Sequence, residues 1–289
     1  MKTHLLSISL LLLSMGSCVN KLDYDNDGFE NHLVIEGYIE EGDYPVVMLT
    51  KNKPFNIEAS EETVNEIVVR WAKVIVSDGE KEEILVGHPA PGYFPPFLYK
   101  GNIIKGEAGK TYTLKVIYAQ YELTAETTIP KTVPIKEITI APSEKNDSLR
   151  QLTIHFDDPE NQKNYYKIYT QVEGKNVRYV PALGGNLNDN LFNGQTVSCK
   201  ISQGIEKLPA KNVHSDFYKD DIIYVKLCTL PAFGFEFWKD FENEIINGQN
   251  PFIPANKNLP TNIRGGGTGI WCGYGKYEMR ILNEIKNRQ

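Results

Sequence analysis

The sequence predicts a mostly β fold, built as two consecutive β-sandwiches with one helix in the second. Three observations carry this expectation. Short runs rich in β-branched and aromatic residues recur along the chain, separated by Gly, Pro, Asp and Asn. Several of these runs alternate with period two, as in Tyr112, Leu114, Val116 and Tyr118, which sets one face on a core and the other in water. One stretch alone has clear helical spacing, with Phe235, Trp238, Phe241 and Ile245 on a single stripe.

The elements follow in order. Residues 33–37, 46–50, 67–70, 73–77, 83–86, 111–118 and 122–128 read as the strands of a first sandwich over 32–130. Short strands at regular spacing with turn signals between them suit a sandwich better than βαβ units. At 129–134 two prolines bracket a break, and proline both fixes φ and removes a ladder donor, so the segment reads as an inter-domain joint. Residues 135–141, 152–156, 165–172, 196–201 and 222–230 read as strands of a C-terminal β-rich domain over 131–289, with a polar Asn- and Gly-rich excursion at 184–194. Its helix, near 235–247, follows Pro231 and ends at Asn247-Gly248. The aromatic stripe on that helix is expected to pack on a sheet; the competing reading is an exposed binding face.

Residues 1–17 have the layout of an export signal: Lys2, an apolar run over 5–13, then Gly16 and Ser17 before Cys18. The apolar run is too short to span a bilayer, which takes about 20 residues. The small-small-Cys ending resembles the lipobox of bacterial lipoproteins, with Met15 where that pattern prefers Leu or another aliphatic residue. The resemblance implies that Cys18 is the lipidated first residue of the mature chain. Each buried lipid methylene contributes roughly 0.8 kcal/mol, so two or three long chains anchor durably. No later run of 18 apolar residues exists, so the chain is expected to hang on the membrane and not to cross it.

Without residues 1–17 the chain loses only Lys2, leaving 30 basic against 37 acidic side chains, a net of −7. With no basic tract to replace phosphate counterions, nucleic acid is excluded as a partner. Beyond Cys18 there are three cysteines, Cys199, Cys228 and Cys272; an odd number leaves at least one thiol free, and no CxxC spacing points to zinc. They read as small buried hydrophobes on strands.

Asp23-x-Asp25-x-Asp27-Gly28 opens like a calcium loop, but its last position, which needs a bidentate Glu, is Val34. Residues 18–31 therefore read as an acidic tether, and the aspartates loosely resemble the acidic export signal of Bacteroidetes surface lipoproteins. Gly109-Lys110-Thr111 resembles the end of a phosphate loop, but Ile104 stands where the motif needs Gly and a strand follows, so it reads as a hairpin turn. Asp157, Asp158 and Glu160 cluster at a strand end and are weak metal candidates beside the reading of an acidic Asp-Pro turn. No HExxH and no GxSxG occurs, and no catalytic residue and no cofactor is assigned. Over 89–99 four prolines stiffen a loop that carries Tyr93, Phe94, Phe97 and Tyr99, a candidate binding loop whose alternative is a plug for the first sandwich. Asp147-Ser148-Leu149 resembles the short Asp-Ser/Thr-apolar site of Bacteroidetes O-glycosylation.

The segments "HLVIEGYIEEGDYPVVMLTKNKPF", "AKVIVSDGEKEEIL", "GEAGKTYTLKV", "TTIPKTVPIKEI", "FDDPENQKNYYKIYTQV", "LFNGQTVSCKI", "IIYVKLCTLPAFGFEFWKDFENEI" and "NLPTNIRGGGTGIWCGYGKYEMRI" follow one another in this order. That series resembles the Bacteroidetes outer-membrane lipoprotein family known as domain of unknown function 4249, over nearly the whole mature chain. Trp271-Cys272 departs from the plain aromatic or aliphatic pair of that family. The resemblance implies an outer-membrane, surface-facing lipoprotein that travels with a TonB-dependent transporter, as a non-enzymatic binding or accessory module. A structural or adhesive envelope component is the alternative, and a hydrolase ranks third. The first half, with Val74-x-Val76-x-Asp78-Gly79, also resembles the transthyretin-like or carboxypeptidase-regulatory sandwich, which concerns architecture alone and fits the expected Ig-like or transthyretin-like fold class.

Overall fold

A computed structural model describes residues 32–53, 61–144, 146–204, 216–247 and 259–282. The export signal, Cys18, the tether with Asp23, Asp25 and Asp27, and His214 lie outside the described residues. The chain is mostly β. An eight-stranded sheet runs through the molecule and two four-stranded sheets back it. The large sheet contains β1 (Leu33–Glu40), β2 (Val46–Lys51), β5 (Val86–Pro89), β6 (Phe97–Lys100), β11 (Tyr165–Val172), β12 (Val180–Asn188), β15 (Ile222–Thr229) and β16 (Thr268–Leu282). Their order is β12-β11-β15-β16-β1-β2-β6-β5. One small sheet holds β3 (Lys73–Ser77), β4 (Glu82–Ile84), β7 (Thr111–Tyr118) and β8 (Tyr121–Thr128); the other holds β9 (Ile135–Pro142), β10 (Leu149–Asp157), β13 (Thr196–Ile201) and β14 (Phe217–Tyr218). The helices are α1 (Glu61–Ile67) and α2 (Ala232–Asn247).

Each small sheet closes a sandwich against one half of the large sheet. The first core joins Leu33, Ile35, Val47, Leu49 and Trp271 to Val74, Val76, Tyr112, Leu114 and Val116. The second joins Tyr166, Ile168, Val225 and Leu227 to Leu152, Ile154, Phe156 and Val197. The joint at 129–134 falls between them, with Ile129 in the first core and Val133 in the second.

The long strand β16 ties the halves together. It pairs in parallel with β1, from Val34 opposite Thr268 to Glu40 opposite Tyr274. It then pairs antiparallel with β15, from Thr229 opposite Gly275 to Ile222 opposite Leu282. Residues 259–271, from the far end of the chain, therefore supply Ile263 and Trp271 to the first core. The close approach at Gly37 makes this possible: a Cβ there would lie 2.9 Å from the Trp271 ring. The indole N–H donates to the Tyr112 carbonyl at 3.1 Å, which satisfies the only polar atom of that buried side chain.

Several local expectations change. Residues 67–70 form no strand: Ile67 ends α1, Val68 makes a lone bridge to Thr50, and the Val69 N–H donates to the Leu49 carbonyl at 3.0 Å. The run over 83–86 is divided at Leu85, where the chain crosses from the small sheet to the large one. The polar excursion at 184–194 is partly strand, because β12 continues through Gly184 and Gly185 to Asn188 before a short 3-10 turn at Asp189–Leu191. As an edge strand of the sheet, β12 tolerates its Pro181. Gly109 does turn the chain, at φ 86°, into β7.

Candidate functional site: a tyrosine-lined cleft over the large sheet

The sandwiches use one face of the large sheet. Strand alternation sends the other side chains to the opposite face. On β1, Leu33, Ile35 and Ile39 enter the first core, so Glu36, Tyr38 and Glu40 point away from it. In register beside them stand Ile270, Cys272 and Tyr274 of β16. Further along lie Lys226 and Cys228 of β15 and Lys167 and Tyr169 of β11, opposite one another in the ladder. Many of these positions are polar, yet the face is covered.

Helix α2 covers one part of it. Phe235, Phe237 and Trp238 are buried against Cys228, Leu230, Ile270, Cys272 and Tyr274. The Trp238 indole N–H donates to the Tyr274 hydroxyl at 2.7 Å. Gly234 lets the helix down onto β16, since a Cβ there would lie 2.6 Å from the Cys272 sulfur. The aromatic stripe thus packs on a sheet, as expected, although Phe241 stays partly exposed against Phe237 and Trp238. All three cysteines after Cys18 are free thiols. Burial pushes the Cys272 pKa up to about 12 and raises that of Cys228 as well.

Lys167 lies beneath the helix, with its ammonium 4.9 Å from the Trp238 ring centroid. Burial depresses its pKa from 10.5 to about 8, against smaller opposing effects of Glu242 and Cys228. Lys226 is better matched, since its ammonium donates to Glu40 at 2.5 Å. Burial pulls its pKa down, but Cys228, Glu40 and Glu278 pull it up further, so it stays above its ordinary value. Lys276 joins this network, 3.5 Å from Glu40 and paired with Asp43.

Beyond the helix, between β1 and the 89–96 loop, the face opens into a cleft of about 420 Å³. Its floor is Tyr38 and Glu40 of β1, Val46 of β2, and Leu98 and Lys100 of β6. Its rim is Asp43, Tyr44, His88, Pro89, Ala90 and Tyr93. Volumes of about 300–1,000 Å³ are usual for small-ligand sites. Beside Tyr93 stands the Arg178 guanidinium, 5.3 Å from the ring centroid. Glu36 lies two residues before Tyr38 on the same face and is open to water. Surrounding protein nonetheless raises its pKa by desolvation, with Arg178 pulling the other way.

The four residues of the candidate binding loop are divided by this geometry. Tyr93 lines the cleft, and Phe94 is 59% exposed. Phe97 and Tyr99 face the other way, because β6 alternates and its Leu98 takes the cleft side. Tyr99 is buried in the first core, where its hydroxyl donates to the Val69 carbonyl at 2.9 Å and accepts from the Ala72 N–H at 3.0 Å. The loop is therefore part plug and part cleft wall. The alternation that puts Tyr38 and Glu40 on one face in "LVIEGYIE" was a readable signal for the cleft floor, but a polar strand face ordinarily means solvent.

The acidic cluster is built as a turn. Asp158 is buried, accepts from the Tyr166 hydroxyl, and accepts from the Gly194 N–H at 2.9 Å. Asp157 points outward, accepting from Thr196 at 2.6 Å and pairing with Lys136, and both contacts hold its pKa down. Glu160 is exposed. Among the described residues no group of three His, Cys, Asp or Glu side chains is placed to hold a metal ion. His155 lies 2.8 Å from Ser198 and 2.9 Å from Thr139, but on an outer sheet face as a cross-strand ladder. A second concavity, of about 550 Å³, opens at the edge of the first sandwich beside Trp71, which is 89% exposed. No described helix is long and apolar enough to cross a membrane.

No curated protein matches the chain. A family model does, over residues 19–280, and so takes in every element described above except the last residues of β16. The chain belongs to the family described as Domain of unknown function (DUF4249).

Proposed function

We propose that the protein is an outer-membrane lipoprotein, anchored through Cys18 and facing the cell exterior, that serves as a non-enzymatic binding and accessory module of a TonB-dependent nutrient-uptake system. The observation that carries the binding role is the cleft. It gathers tyrosine rings, carboxylates and cations on a stiff sheet and leaves them reachable from solvent, which is the make-up of a recognition site. The anchor and the transporter rest on the lipobox-like sequence before Cys18 and on the family resemblance. The region matched to the family begins at residue 19, directly after that cysteine.

The alternative, a structural or adhesive envelope component, draws on Trp71, Ile84 and Val86, which expose apolar surface at the sandwich edge. Co-purification separates the two. The full chain, captured from detergent-solubilised membranes of its host, should bring down a TonB-dependent transporter identified by mass spectrometry. Recovery of the lipoprotein without any such transporter contradicts the accessory role. Recovery of Cys18→Ala in the membrane fraction at the wild-type level contradicts the anchor.

A further inference from the structure

Resting on the anchor at Cys18, we infer that the protein makes a second, weaker membrane contact. The edge of the first sandwich around Trp71 docks on the anionic headgroup surface of the bilayer that holds the lipid. Three features lead there.

The first is the make-up of the patch. Trp71 and Ile84 line the concavity of about 550 Å³ at the sandwich edge, and Val86 stands between its lining residues Leu85 and Gly87. These three side chains are 89%, 58% and 58% exposed. Arg70 and Lys73 line the same concavity, and no Asp or Glu does. The Arg70 guanidinium donates to Asn65, a neutral residue, and no carboxylate pairs with Arg70 or Lys73 among the described residues. An exposed tryptophan and branched aliphatics beside uncompensated cations suit a bilayer interface. The indole belongs at headgroup level, and the cations meet lipid phosphates.

The second is position. Val34 lies opposite Thr50, and Thr50 bridges to Val68. Two strand spacings are about 10 Å and three further residues reach at most about 11 Å, so the Trp71 backbone lies within about 20 Å of Val34. Lys51 agrees with this placement. It pairs with Leu33 and sets its ammonium 5.5 Å from the Tyr118 ring centroid, one residue beyond the partner of Lys73 on β7. The patch is therefore close to where the chain enters the sandwich from Cys18. Residues 18–31 span at most about 50 Å, so the lipid holds this part of the molecule near the membrane and keeps a weak contact at high effective concentration.

The third is size. A stable protein interface takes about 20–30 residues a side, and the apolar patch here is three side chains. That is little for a protein partner, but it suffices for a bilayer, where a lipid chain and a modest second contact act together.

The test uses the full lipidated chain inserted into vesicles of phosphatidylcholine and phosphatidylglycerol in equal parts, with acyl chains brominated near the headgroup. Of the three tryptophans, Trp238 and Trp271 are buried, so bromine quenching reads Trp71. Quenching is expected in the wild type and lost in Trp71→Phe, a change at a ring with little packing to lose. Each surface cation is worth roughly fivefold in membrane partition, so Arg70→Gln combined with Lys73→Gln should lower the ratio of docked to undocked protein roughly 25-fold. Protein that floats with the vesicles while Trp71 stays unquenched overturns the docking and leaves the anchor standing. Protein that does not float refutes the anchor, and the docking with it. Equal quenching in phosphatidylcholine alone, or quenching that the double variant does not weaken, overturns an anionic surface as the partner. Trp71 shielded from aqueous acrylamide without bromine quenching means that a protein or a second copy covers it, and also overturns the inference.

Discussion

Lys167→Met should stabilise the protein at neutral pH, and the gain should fade in alkali. Lys167 is 1% exposed, no carboxylate pairs with it among the described residues, and burial lowers its pKa from 10.5 to about 8. That difference corresponds to roughly 3 kcal/mol of cost for holding the charged form in the fold. The contact with Trp238 returns part of this, since a desolvated cation–π pair is worth about 1–2 kcal/mol. Methionine keeps most of the stem and drops the charge, so a net gain of about 1–2 kcal/mol is expected at pH 7, or roughly 2–8 °C in Tm. The sign with pH follows from linkage. Between pH 8 and 10.5 the unfolded chain binds a proton that the folded chain has released, so the wild type gains stability relative to the variant as pH rises. Below pH 8 the full cost is present. The buried thiols work in the opposite direction, because their raised pKa values make the fold lose stability above pH 9, but they are common to both proteins and cancel in the difference. Urea unfolding of the soluble chain from Val19, wild type and variant, at several values from pH 7 to 10.5 measures this. A variant no more stable than wild type at pH 7, or a difference that does not change with pH, refutes the reasoning.

Other substitutions probe the sheet and its loops. Gly37→Ala forces a Cβ to within 2.9 Å of the Trp271 ring and should cost about 1–3 kcal/mol in unfolding, with a change in tryptophan fluorescence; a neutral effect contradicts the close packing of β1 on β16. Tyr99→Phe leaves the Val69 carbonyl and Ala72 N–H without their partner and should cost roughly 1–3 kcal/mol, whereas Phe94→Ala, at an exposed ring, should stay within about 0.5 kcal/mol. Equal effects of the two would contradict the division of that loop into plug and rim. Calcium titration of the chain from Val19 should show no micromolar binding, and Asp158→Ala should lower Tm equally with calcium or EDTA, because Asp158 serves Tyr166 and Gly194. Micromolar binding lost on Asp25→Ala or Asp158→Ala would restore a metal role for the corresponding aspartates.

The strands with clean alternation were legible from sequence, as in Tyr112–Leu114–Val116 on β7 or Val74 and Val76 on β3, because one face is core and the other solvent. The helix over Ala232–Asn247 was legible for the same kind of reason, from its period. What defeated local reading was β16. The glycines at 265–267 before it and at 269, 273 and 275 within it look like turn signals, and its partners β1 and β15 come from distant parts of the chain. Parallel pairing of β1 with β16 leaves no hairpin turn to announce it. The cleft was hidden for a related reason. Tyr93 stood out beside its prolines, but Tyr38 and Glu40 became a cleft floor only once the 89–96 loop closed over a face that alternation alone assigns to water. Lys167 and Lys226 were likewise unremarkable as residues on strands until α2 and Glu40 covered them.

The most direct measurement of whether the cleft beneath the 89–96 loop is the binding site is a residue-resolved NMR titration of the full chain with the TonB-dependent transporter co-purified from host membranes. Shifts confined to Tyr38, Tyr44, His88, Ala90, Tyr93 and Lys100, saturating together, are the predicted result. Shifts centred on Trp71, Ile84 and Val86 at the sandwich edge, or no saturable shifts at all, would contradict it.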